Sequence, residues 1–170
     1  MSFVGDDPIE VVDYDPTWPA MFVAARVELE QALGPCLVDI EHIGSTAVPG
    51  LAAKPVVDIL VGLRSLDDSA VVIPALEGLG YEYVAELEDE LPDRRYFRRF
   101  VDGRRTHQVH AVARSDRTWW NRHVAFRDHL RAQDEDRDAY ADLKRRLASE
   151  HRHDRVAYTA AKSDFIRARQ

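Results

Sequence analysis

A chain of 170 residues that is 45% hydrophobic and 31% charged can bury one sizeable core but not two, so a single domain spanning 1–170 is expected. Its net charge of −7 gives no bulk attraction for nucleic acid or for an anionic membrane surface, so any anion site must be built locally. The single Cys36 excludes an internal disulfide, and no basic-then-apolar leader or long uncharged run marks export or a membrane span. The expected compartment is the reducing cytoplasm, with Cys36 an inert small hydrophobe.

With no internal repeat or low-complexity tract, the elements are read from periodicity. "PTWPAMFVAARVELEQALG" opens on proline-rich turn chemistry and then sets Met21, Ala24, Ala25, Val27, Leu29 and Leu33 at nearly helical spacing until Gly34 stops it. "CLVDIEHI" alternates, with Val38, Ile40 and His42 on one face, and "PVVDILVGL" is a β-branched run suited to a strand covered on both sides. "LDDSAVVIPALEGLG" reads as a short helix, and "YEYVAELE", "RRYFRRFV" and "THQVHAVA" as further strands, with Asp102-Gly103 a hairpin turn. The arginine pairs of "RRYFRRF" and Arg104-Arg105 read as a solvated edge strand defended by charge, with an anion-lining groove as the alternative.

Past residue 115 the pattern becomes helical. A cap at Ser115 or Asp116 precedes Trp120, Val124 and Leu130; Tyr140, Leu143 and Leu147 make a second stripe, and Tyr158, Ala161 and Phe165 a third. Trp119 and Trp120 are expected at the core and rim of this cover. The fold class that follows is α/β (α+β): a mixed central sheet with flanking helices over about 1–114 and a C-terminal helical cover over about 115–170.

Chemistry concentrates in "HIGSTAVPGLAAKPVVDIL", residues His42 to Leu60. Gly44 permits close backbone approach at a strand end, where backbone N–H groups and the Ser45 and Thr46 hydroxyls can converge on an anion, phosphate above all. Lys54 stands just before Pro55. In the strand that follows, Asp58 shares a face with Val56 and Leu60. A carboxylate in so apolar a run calls for a metal ion, a cationic partner or a water-filled cleft.

"EHIGSTAVPGLAAKPVVDILV", together with "HQVH" at 107–110, "FRDHLR" at 126–131, "YADLK" at 140–144 and "YTAAKSDFI" at 158–166, resembles the GrpB-like family over nearly the whole chain. That family is similar in fold to the nucleotidyltransferase superfamily, and related domains occur fused behind dephospho-coenzyme A kinase. The resemblance implies Gly44 and Ser45 as a phosphate turn and Asp58 as the first carboxylate for Mg2+ or Mn2+. The second carboxylate of the superfamily pattern falls at position 60, which is leucine here. His107 and His110 must point to opposite strand faces, and His110 is expected to meet Asp58 as a metal ligand or acid–base group.

Secondary candidates are His42 and His107, as readily structural as functional, Arg105, and Lys144 and Lys162. Each of these lysines follows a tyrosine by four residues and either packs with a solvated tip or contacts phosphate. The expected function is binding of a nucleotide or other phosphorylated small molecule, with nucleotidyl or phosphoryl transfer at the metal. The alternative is a catalytically silent binding or docking module linked to coenzyme A metabolism.

Overall fold

The computed structural model describes residues 8–170. Helix α1 (Trp18–Leu33) follows a turn in which the Asp15 carboxylate accepts from the Thr17 amide and hydroxyl, and a proline sits in its first turn, where a missing N–H costs nothing. Strand β1 (Leu37–Ile43) runs antiparallel to β2 (Val57–Leu63). After helix α2 (Ser69–Gly78) and the short strand β3 (Tyr81–Tyr83), a hairpin joins β4 (Arg94–Val101) to β5 (Arg104–Ala113). The hairpin turn has positive φ at both Asp102 and Gly103, as the Asp-Gly pair predicts. β5 pairs in parallel with β2, which gives the mixed sheet order β1-β2-β5-β4-β3. The mixed α/β expectation therefore holds.

Two strand expectations need correction. "RRYFRRFV" is not an edge strand: β4 lies between β3 and β5, and the edges are β1 and β3. Its arginines reach acidic partners on neighbouring elements instead of defending an edge. Arg98 pairs with Glu82 at 2.8 Å, Arg99 with Glu28 of α1 at 2.8 Å and Arg95 with Glu88 at 2.9 Å. "YEYVAELE" leaves the sheet after three residues, and Ala85–Glu88 forms a 3-10 turn, as suits an Ala-Glu-Leu-Glu run with little β preference.

The sheet is buried on both sides, and alternation along β2 sorts the two interiors. Val57, Ile59, Val61 and Leu63, with Val109 and Ala111 of β5 and Phe97 of β4, pack against Ala25, Leu29, Val72 and Leu76 of α1 and α2. On the other face Leu60 meets Ile43, Val112 and Trp120. That face is covered by α3 (Arg117–Ala132), α4 (Asp134–Glu150) and α5 (Arg155–Arg167). Asp116 caps α3 by accepting from the Thr118 and Trp119 amides, and Asp154 caps α5 through the Ala157 amide.

Trp120 is buried, while half-buried Trp119 stacks on His123 at 4.6 Å beside Arg94 and Arg122, so the two rings are core and rim as expected. Gly62 is the crossing point of α3 over β2: a Cβ there would lie 2.8 Å from both Trp120 Cζ3 and Arg114 Cδ. No helix among the described residues is long and apolar enough to cross a membrane.

Candidate functional site

β1 ends at Ile43, which pairs with Asp58, and the chain then turns through Gly44 at φ +72° into the 3-10 turn Ser45–Ala47. Only glycine suits this position for two separate reasons. The backbone is left-handed, and an added Cβ would stand 2.7 Å from Asp58 Oδ2. The close approach expected at Gly44 is present, and within the chain it is the Asp58 carboxylate that makes it.

The parallel register sets Asp58 beside Gln108 and Leu60 beside His110, so Asp58, Gln108 and His110 share one face. His110 Nε2 lies 3.3 Å from Asp58 Oδ1. With its amide turned so that both ends are satisfied, Gln108 donates to Asp58 Oδ1 at 3.1 Å and accepts from Arg105 Nη1 at 3.2 Å. Sequence reasoning passed over Gln108, although its place two residues before His110 was the signal. His107 lies on the opposite face, buried beside Tyr81 and Arg99, and burial brings its pKa to about 4.

His42 is also structural in geometry. Its ring stacks on Phe22 of α1 at 4.8 Å, its Nε2 lies 2.9 Å from Thr46 Oγ1, and burial lowers its pKa to about 4. The Thr46 hydroxyl is thereby engaged by His42. From the other side, Arg127 and Arg131 of α3 donate to the His42 and Ala47 carbonyls at 2.9 Å each. The turn is held between both layers.

The helical cover adds what the turn lacks. Lys144 of α4 is buried, and its Nζ donates to the Ala52 carbonyl and lies 2.8 Å from Ser45 Oγ, so the solvated-tip reading does not hold. Lys162 Nζ sits over the Tyr158 ring at 4.3 Å, and Lys54 Nζ stands over the same ring at 5.4 Å. Burial, then the charges of Lys162 and Lys54, hold the Lys144 pKa well below the usual lysine range. Burial, then Lys54, brings Lys162 to about 7 against the opposing pull of Asp58. Lys54 is lowered by burial, with Asp58 opposing.

Asp58 moves the other way. Burial is the largest single influence and would raise its pKa, but the His110 hydrogen bond and charge, with Lys54 and Lys162, outweigh it and leave the carboxylate below its ordinary value.

These groups line a cavity of about 320 Å³ that also includes the rings of Phe126, Tyr140 and Tyr158. Gly44, Ser45, Thr46, Lys54, Asp58, His110, Lys144 and Lys162 therefore come together around it, while His42 and His107 do not reach it. Arg105 lines an adjoining depression of about 300 Å³ with Arg104 and Arg155, which shares Lys54 with the main cavity.

The donor set does not fit a divalent ion held by the protein alone. Asp58 and His110 are two ligands where magnesium takes six, and three lysine amines line the same cavity. Leu60, at the place of the second carboxylate, is fully buried with Trp120. No group of three or more His, Cys, Asp or Glu among the described residues could hold a metal.

Comparison with known proteins places this geometry. The family described as GrpB protein matches residues 8–170. A UPF0157 protein of Pseudomonas aeruginosa is 40% identical over 97% of this chain and 67% of its own length. The crystal structure of the conserved protein GrpB from Enterococcus faecalis superposes with a TM-score of 0.85 at 36% identity, covering 94% of this chain and 93% of that one. Cid1 poly(U) polymerase, solved with Mg 3'-dATP bound, shares the fold at a TM-score of 0.54 and 12% identity, over 82% of this chain and 43% of its own. A dephospho-CoA kinase of Mycolicibacterium paratuberculosis is 33% identical over 52% of this chain and 23% of its own length. The nucleotidyltransferase-like fold expected from the sequence is thus present.

Two outcomes follow from this geometry. Gly44→Ala should destabilise the protein by about 1–3 kcal/mol from a positive-φ, extended backbone that is essentially reserved for glycine. Part of the total loss should disappear in an Asp58→Ala background, where Oδ2 is gone, and a double-mutant cycle in urea reads that coupling. Asp58→Asn in chelator should lower the melting temperature, because it strips His110, Lys54 and Lys162 of their shared counter-charge. A charge-assisted bond of this kind contributes about 1.5–3 kcal/mol, and an unchanged or raised melting temperature would remove Asp58 from that role.

Proposed function

The chain belongs to the GrpB family, and we propose that it binds a phosphorylated small molecule in the cavity between the Gly44-Ser45 turn and the helical cover. The observation that carries this reading is the convergence of the Ser45 hydroxyl and the Lys54, Lys144 and Lys162 side chains on a cavity with one side-chain carboxylate, Asp58. Amines in such a place are unfavourable while they lack counter-charge, and a multiply charged anion supplies it. Phosphate suits them better than a carboxylate does, since its several oxygens accept from donors on different elements at once. Phe126, Tyr140 and Tyr158 offer apolar surface to the rest of the ligand.

Nucleotides are the first class to test, because the polymerase that shares the fold was solved with one bound. Dephospho-coenzyme A and coenzyme A follow, from the half-chain likeness to a dephospho-CoA kinase. The catalytic reading, nucleotidyl or phosphoryl transfer with Mg2+ or Mn2+ on Asp58 and His110, needs ligands that position 60 does not supply. The binding reading needs only groups that line the cavity, and it is the one we favour.

Inorganic pyrophosphate should bind the wild-type chain, raise its melting temperature, and bind Lys144→Met at least tenfold more weakly, about 1.4 kcal/mol, in calorimetric titration. Equal affinity in a folded Lys144→Met protein would count against the site.

The pH dependence has a defined sign. Above pH 7 the folded chain releases the Lys162 proton while the unfolded chain keeps it, so stability without ligand should rise from pH 7 toward 10. An anion favours the protonated amine, so pyrophosphate binding should take up a proton at pH 8. Its affinity should weaken toward pH 9 more steeply in wild type than in Lys162→Met. Parallel pH profiles for the two proteins would sink this linkage.

A further inference from the structure

The three lysines of the cavity are not equivalent. Lys144 Nζ is committed to Ser45 Oγ and the Ala52 carbonyl, so it is fixed where a phosphate would meet the turn. Lys54 lies on the boundary between the main cavity and the adjoining arginine-lined depression, and Asp58 is the first charge acting on it. Lys162 lines the main cavity only. Among the described residues its Nζ has the Tyr158 ring and no hydrogen-bond acceptor. Burial, then the charge of Lys54 over the same ring, brings the pKa of this amine to about 7 against the pull of Asp58, so near neutral pH part of it carries an open lone pair.

We propose that the Lys162 amine is a nucleophile that condenses with the carbonyl group of a phosphorylated aldehyde or ketone seated in this cavity. The inference rests on the phosphate-binding reading, with the phosphate held at Ser45 and Lys144 and the carbonyl directed to Lys162. In the step, the nitrogen lone pair forms a C–N bond as the carbonyl π pair moves to oxygen. Oxygen gains a proton and nitrogen loses one, which gives a carbinolamine. A second proton on that oxygen releases water as the nitrogen lone pair forms the C=N bond, which leaves a protonated imine that gives one proton back to become neutral. Electrons and protons balance without an oxidant, a reductant or a metal. His110, held by Asp58, stands in the same cavity as a group able to carry those protons.

The test uses the full chain with pyridoxal 5'-phosphate as the phosphorylated aldehyde, followed by borohydride reduction and peptide mass spectrometry. The expected result is one phosphopyridoxyl group per chain, on Lys162. Pyridoxal, which lacks the phosphate, should label at least tenfold less, and pyrophosphate should protect. Lys162→Arg, checked for folding by thermal melt, should lose the imine absorption band. Adducts spread over surface lysines, or placed first on Lys54 or Lys144, overturn the assignment even if the variant misfolds, because the mapping is read on the wild-type chain. Pyrophosphate binding without any Lys162 adduct defeats the nucleophile alone. Lys162 labelling that is equal with pyridoxal and unaffected by pyrophosphate defeats the phosphate reading beneath it.

Discussion

Lys144 carries an amine into a place where a charge is unfavourable, and the way the chain accommodates it determines how the two halves of the molecule meet. Its Nζ bonds to Ser45 Oγ and to the Ala52 carbonyl, so one side chain of α4 ties together two points of the loop that separates β1 from β2. The apolar residues of that loop, Val48, Leu51 and Ala52, pack with Leu130, Tyr140 and Ala141 of the cover. Polar and apolar contacts thus converge on one loop.

The electrostatics of that cavity are unbalanced in a definite direction. One carboxylate, Asp58, serves His110, Lys54 and Lys162 together, and it is held ionised although the side chain is largely withdrawn from solvent. A buried charge is tolerated when it is paired and hydrogen-bonded, and here one anion has more partners than it can neutralise. Amine and imidazole groups thus outnumber side-chain carboxylates around the cavity.

Much of this was legible in the sequence, and the reasons for success and failure are physical. Period-two alternation sufficed to put His107 and His110 on opposite faces, because that depends only on local strand geometry, whereas which of them meets Asp58 is set by the parallel pairing of β2 with β5. Gly44 was recognised as a close-approach glycine, but which group approached it depends on pairing between Ile43 and Asp58, which no local pattern encodes. The same limit explains the error over β4. Arginine-rich strands do defend edges, yet whether a strand lies at an edge is decided by β3 and β5 arriving on its two sides. Lys144 could only be left between a solvated tip and a phosphate contact, because its helix stripe is local while the Ser45 hydroxyl that receives its amine is about a hundred residues away. Sequence periodicity reports faces, and it does not report partners.

The pairing of β2 with β5 carries a consequence for how the molecule comes into being. The β4–β5 hairpin closes through two residues and can form locally, whereas the parallel pair joins Val57 to His107 across about fifty residues. Loop-closure entropy makes that second pairing slow compared with the hairpin. Asp58 and His110 meet only when it is complete, and Lys144 and Lys162 arrive from helices that follow both strands in the chain. A chain still emerging from the ribosome, or one partly unravelled, therefore has no cavity to fill. Any molecule that bound in this cavity would bind only a chain whose sheet and helices had fully assembled.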